Sequence, residues 1–143
     1  MRAIQAVAVA LTAAIVTFAP RADTQEAAGK VRASRIFSAT TTASGQPIVL
    51  PKTDAEVVVW MYDVPVGARL QVHKHPFQRY AYVLQGKLRV ATADNSRTWE
   101  YKAGDFVVEM VDAWHYGTNV GSERVRLLVI DQVEKGQANT ILR

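Results

Sequence analysis

The chain has 143 residues, 49% of them hydrophobic, with 17 basic and 13 acidic side chains, three histidines and no cysteine. This length supports one hydrophobic core and no second domain of ordinary size. The lack of cysteine excludes disulfides, thiolate nucleophiles, cysteine-ligated zinc and c-type haem attachment. The basic residues (among them Arg32, Arg35, Lys52, Lys87, Arg89, Arg124 and Arg126) are scattered without a run, so no nucleic-acid footprint is expected despite a pI near 9.6.

In chain order, Arg2 precedes an uncharged stretch, residues 3–19, whose polar members are Gln5, Thr12 and Thr17, and Pro20, Arg21 and Ala22 follow. A basic start, a short apolar run and small residues at its end read as a secretory signal peptide over residues 1–22, cut after Ala19 or Ala22. A single-span anchor is the alternative, although the run sits at the lower limit for crossing a bilayer. Cleavage would remove Arg2 and Arg21, leaving 15 of the 17 basic residues against 13 acidic ones. The expected product is periplasmic or secreted, close to charge balance, without a membrane partner, and dependent on its core for stability.

Residues 23–34 begin small and polar and read as a flexible lead-in to a domain spanning 35–143. From there the pattern is β. Residues 35–42 and 47–50 are β-branched segments separated by a turn, and residues 56–64 make a strong strand rich in valine and aromatics. A turn at Pro65–Gly67 leads to a strand carrying His73 and His75. Residues 80–84 and 87–92 follow, hinged at Gly86, with Leu88 and Val90 on a dry face and Lys87 and Arg89 on a wet one. Residues 93–96 are turn chemistry, followed by strands at 98–102 and 106–110. The last strand, 125–133, is apolar enough to be buried on both faces. Strands spaced like this, with no amphipathic helix after the leader, predict an all-β sandwich or barrel of the jelly-roll kind.

Side chains alternate along a strand, so His73 and His75 project to one side, about 6.6 Å apart along the chain, and two such imidazoles can hold one metal ion. His115 is the remaining histidine, and all three can serve a single site.

The sequence at this point resembles the cupin family. The first motif of that family runs glycine, five residues, His-x-His, three or four residues, glutamate, six residues, glycine. Gly67, His73, His75 and Gly86 fall in register with it. The second motif runs glycine, five residues, proline, one residue, glycine, two residues, histidine, three residues, asparagine. Gly104, His115 and Asn119 match, while Met110 and Asp112 replace the proline and second glycine. The resemblance implies a double-stranded β-helix, the jelly-roll barrel of the family, and a homodimer paired through edge strands, with residues 57–62 as the surface to watch. It carries over three histidine ligands but not the customary fourth, because Arg79 occupies the glutamate position.

Three neutral imidazoles suit a divalent transition metal (Fe, Zn, Ni, Cu or Co) better than Ca or Mg, and leave positions open for water, dioxygen or substrate. Each should have its second ring nitrogen tied to another group. A guanidinium about 5 Å from a dication, at an effective dielectric near 20, would face about 6 to 7 kcal/mol of repulsion. Arg79 is therefore expected either to point away or to have an anion between it and the ion. In the second case it could clamp a substrate carboxylate. Tyr80, beside the vacant ligand position, is a candidate catalytic acid with Arg79, or else a packing residue with its hydroxyl in water. Glu109 and Asp112 could supply a replacement carboxylate, although neither occupies the ligand position of the family. Trp114 and Tyr116 should face away from His115; Phe77, Met61 and Met110 read as barrel filling; Asn119 reads as a turn or hydrogen-bonding residue. The reading is a mononuclear, dioxygenase-like or Lewis-acid metalloenzyme acting on a small molecule. A non-catalytic ligand- or metal-binding protein and a metal-free barrel are the alternatives.

Overall fold

The β-branched and aromatic segments fold into nine strands among the described residues, with no helix among them. The computed structural model describes residues 31–143, of which Arg35–Arg143 form one compact unit. The signal-peptide reading of residues 1–22 and most of the lead-in lie outside the described residues. The strands are β1 (Ala55–Val64), β2 (His73–Lys74), β3 (Gln78–Gln85), β4 (Lys87–Thr92), β5 (Thr98–Lys102), β6 (Phe106–Val108), β7 (His115–Asn119), β8 (Val125–Glu134) and β9 (Ile141–Leu142). They form a four-stranded sheet in the order β1-β8-β3-β6 and a five-stranded sheet in the order β5-β4-β7-β2-β9. All pairings are antiparallel, and the two faced sheets make a jelly-roll β-sandwich.

Strand alternation decides what enters the core. Val125, Leu127, Val129, Asp131 and Val133 of β8 are buried, and the residues between them are half-buried or exposed. This strand is therefore dry on one face, not on both as its composition suggested. Register carries that face to its neighbours: Tyr62 and Trp60 of β1 stand opposite Leu127 and Val129, and Ala81 and Val83 of β3 stand opposite Val129 and Leu127. From the other sheet Leu88 and Val90 point inward, and Met110 is buried with them. Asn119 is buried and ties three strand ends together, donating to the carbonyls of Val64 and Glu123 and accepting from the Gly121 amide.

Several expectations need correction. Residues 35–42 and 47–50 make only one isolated bridge, Thr41 to Pro47. The Ala43 amide bonds the Val108 carbonyl, but Pro47 and Pro51 lack an amide to continue a ladder, and propensity without a partner edge gives no strand. The histidine strand shrinks to His73–Lys74 because Pro76 follows. Met61 does not fill the barrel, since β1 places its odd-numbered residues outward and leaves Met61 54% exposed. Phe77 is half-buried in a surface groove with Pro51 and Pro76.

Gly86 hinges β3 and β4 at a φ of 82°, and a Cβ there would lie 2.7 Å from the Arg124 carbonyl oxygen. The obstacle is backbone, which cannot rotate aside. Gly86→Ala is expected to lower the stability by about 1–3 kcal/mol, read as a reduced urea midpoint. An unchanged midpoint would mean that the β3–β4 hinge relaxes freely.

Candidate metal centre

β2, the loop after β6 and the start of β7 converge at one end of the sandwich. His73 and His115 are directly paired across β2 and β7, and His75 lies one turn of the pleat beyond His73. The three imidazole centroids are 4.5 to 5.0 Å apart. His75, His115 and His73 are 0%, 2% and 7% exposed. Glu109, just past β6, completes the cluster: its Oε2 lies 3.1 Å from His75 Nε2 and 3.3 Å from His115 Nε2.

The ring orientations follow from the opposite nitrogens. Nδ1 of His73 bonds the Gln71 carbonyl at 2.7 Å, Nδ1 of His75 the Asn139 carbonyl at 2.5 Å, and Nδ1 of His115 the Ala113 carbonyl at 2.8 Å. A carbonyl oxygen can only accept, so each Nδ1 carries the proton, and in the neutral ring Nε2 presents a lone pair to the centre. His75 Nε2 is buried without a hydrogen-bond partner, although a carboxylate oxygen lies 3.1 Å away. Two lone pairs facing at that distance repel unless a cation lies between them.

This geometry fits a metal ion. Two donors each about 2.1 Å from a common ion are about 3.0 Å apart at octahedral right angles and about 3.4 Å apart at tetrahedral ones. The Glu109 separations match these, and all four donor atoms lie within 4.8 Å of one another. Three imidazoles and one carboxylate form a borderline donor set suited to first-row transition metals, and they leave part of the coordination sphere open.

The metal-free electrostatics follow from burial and from Glu109. Burial lowers His73 to about 4, from an ordinary 6.5. Burial also opposes charge on His115, but the Glu109 carboxylate outweighs it and raises that pKa. Burial would raise Glu109, and the His115 and His75 imidazoles beside it instead hold it well below the usual carboxylate range. Between pH 6.5 and about 4 the unfolded chain protonates His73 and the folded one does not, so stability falls as the pH falls through this window. Glu109 extends the loss below its ordinary 4.5. The His115 contribution is complete below 6.5 and is lost only as the pH rises through its elevated value. The expected result for metal-free protein is a denaturation midpoint that falls on acidification, with His73 contributing about 3 kcal/mol across its window. A His73→Asn variant should lose most of that slope; an unchanged slope would assign it elsewhere.

Arg79 is buried, yet its charge is already satisfied. Its Nε and Nη2 donate to the two carboxylate oxygens of Asp131 at 2.7 and 2.8 Å, and Nη2 also reaches Thr140 Oγ1 at 3.1 Å. The anion beside this guanidinium is thus a strand residue of the protein itself, and the fork proposed as a substrate clamp is engaged by it. Arg79 still borders the cavity above the histidines. Tyr80, the other catalytic candidate, is not in the site: β3 directs it outward, and its hydroxyl donates to Gln132 at 2.9 Å. Tyr116 and Trp114 face away from His115 as expected, Tyr116 lying under Arg69 and Trp114 near Lys74. Asp112 is exposed and paired with Lys74 at 3.0 Å, away from the cluster.

A cavity of about 210 Å³ opens over the cluster, walled by Leu70, Leu88, Val90, Leu127, Val129 and Leu142, with Tyr62, Gln71 and Thr140 as polar members. Asp131, Asn139 and Thr140 were missed from sequence. The one available signal was Asp131 itself, a lone carboxylate within the apolar run 125–133, which cannot be buried unpaired.

The family model described as Cupin domain matches residues 60–131. No curated protein matches the chain. Similar solved structures include an oxalate decarboxylase from Lactobacillus farciminis in a formate complex, at 26% identity and a TM-score of 0.52, covering 60% of this chain and 26% of that one. The oxalate decarboxylase of Bacillus subtilis, described with Mn(II) centres, aligns at 27% identity and a TM-score of 0.51 over 60% of this chain and 23% of its own. The polyketide cyclase RemF from Streptomyces resistomycificus shares the fold at 21% identity and a TM-score of 0.51, with 64% of each chain covered. The chain spans about a quarter of the length of the decarboxylases. Motif residues, jelly roll and family match agree: this chain belongs to the cupin family and carries a cluster of three histidines and one glutamate that could hold a metal ion.

Proposed function

We propose that the domain binds one divalent transition metal through His73, His75, His115 and Glu109 and uses it as an enzyme on a small organic acid. The observation carrying this reading is the convergence of three Nε2 atoms and one half-buried carboxylate, each imidazole turned that way by a backbone carbonyl that accepts from its Nδ1. When bound, the ion would supply a Lewis-acid or dioxygen-binding position. The chain supplies the rest: apolar walls that exclude water, and Tyr62, Arg79 and Thr140 at the polar side to orient a ligand. An ion of charge two beside a single carboxylate leaves a net positive site, since Arg79 and Asp131 neutralise each other. This favours a carboxylate-bearing substrate, as does the likeness to oxalate decarboxylases. The cavity is smaller than the several hundred cubic ångströms of drug-sized sites, which restricts the ligand to about ten heavy atoms.

Elemental analysis of untagged protein, followed by oxygen uptake and carbon dioxide release with small carboxylates, catechols, thiols and diketones, tests the reading. Stoichiometric metal with turnover of one class is expected. Metal without turnover would leave a binding protein, and no metal retained from any medium would remove the metal reading altogether. The signal peptide and periplasmic or secreted destination are part of the same proposal, tested by sequencing the amino terminus of the exported protein. A homodimer through the edge strand β1 completes it: Val57, Val59 and Met61 are each more than half exposed there, and such an edge is a pairing template. Sedimentation should show a dimer that Val59→Lys dissociates.

A further inference from the structure

The three imidazoles are braced in two different ways. His73 and His115 bond carbonyls two residues earlier in the chain, so each carries its own brace. His75 instead bonds the carbonyl of Asn139, 64 residues away. Its orientation is thus decided by a separate segment, residues 137–142, and by whatever holds that segment.

What holds it is a buried polar network. Asn139, 6% exposed, accepts from the Phe77 amide through Oδ1 at 2.9 Å and donates through Nδ2 to Asp131 Oδ1 at 2.6 Å. It therefore grips the chain on both sides of Pro76, by the His75 ring and by the Phe77 backbone. Asp131 receives donors from Arg79 Nε and Nη2, Trp60 Nε1 and Asn139 Nδ2, which saturates both oxygens and leaves it no freedom to turn. Arg79 also reaches Thr140, the next residue of the segment.

We propose that Asp131 and Asn139 are positioning residues for His75, with the Arg79–Asp131 pair as the anchor that aims its Nε2 at Glu109. This rests on the reading that the cluster binds an ion, because aiming a lone pair matters only if something is to be held. The residue standing at the usual glutamate position has not lost a role in the site. Arg79 acts on it indirectly, through the orientation of a ligand, while Glu109 presents the carboxylate. Partners of this kind change metal affinity by about ten- to a hundredfold when removed.

The test uses Asn139→Ala and, in case that variant does not fold, the double variant Arg79→Met with Asp131→Leu, which removes both charges together. Two measurements are made on the full chain: affinity for Mn(II) and Zn(II) by competition with a chelator, and the Nδ1–H resonances of the three histidines in metal-free protein by NMR. Metal affinity should fall by about ten- to a hundredfold. The slowly exchanging Nδ1–H of His75 should be lost while those of His73 and His115 persist, a selectivity that general loosening would not produce. Unchanged affinity with all three resonances intact would overturn the proposal. If the wild type binds neither metal, the metal reading fails by itself, and the NMR comparison still decides whether Asn139 orients His75.

Discussion

Glu109→Gln is expected to weaken metal binding by about 3–5 kcal/mol, roughly two hundredfold to several thousandfold. The glutamate is the single carboxylate of the cluster, 3.1 and 3.3 Å from two imidazole nitrogens. The amide keeps its shape but not its charge, so the ion would be left with neutral ligands in a buried site. Asp112→Asn serves as the control, because that carboxylate is exposed and pairs with Lys74 at 3.0 Å. It should leave the affinity unaltered. Titration calorimetry on both variants checks the expectation, and equal affinities would remove Glu109 from the ligand set and return the site to three histidines.

The second large effect concerns stability. Asp131→Leu leaves the Arg79 guanidinium buried at 5% exposure without its hydrogen-bonded carboxylate, and it also strips Trp60 and Asn139 of their acceptor. Breaking a buried pair in this way costs about 3–5 kcal/mol, whereas replacing both members by apolar residues is often nearly neutral. Metal-free Asp131→Leu should therefore show a much lower urea midpoint, and the double variant Arg79→Met with Asp131→Leu should recover most of it. Failure of the double variant to recover would mean that the hydrogen bonds from Trp60 and Asn139, not the charge pairing, dominate the contribution of Asp131.

The contrast between these sites shows where sequence reasoning reaches. Gly67, His73, His75, Gly86, Gly104, His115 and Asn119 sit at spacings set by local backbone geometry, namely turns that need a positive φ and strands that alternate faces. Such features depend on near neighbours, so the jelly roll, the wet and dry faces of residues 87–92 and the grouping of three histidines were legible in the chain alone. The outward turn of Tyr80 was not, since alternation predicts two faces without saying which one meets the other sheet. That choice came from pairing with β8, where Arg79 stands opposite buried Asp131 and Tyr80 opposite Ile130. Residues 35–50 had the composition of strands and found no complete edge to pair with.

The sequence by itself brought the three histidines together and left the fourth ligand open, because residue chemistry and short-range spacing are properties of a segment. Which carboxylate joins the histidines, what neutralises Arg79 and what orients His75 were decided only by the tertiary structure. Glu109 reaches His115 across only 6 positions but His75 across 34, and Asp131 and Asn139 reach Arg79 and His75 across 52 and 64. Contacts at that range depend on sheet order and register, and no periodicity within one strand records who stands on the strand facing it.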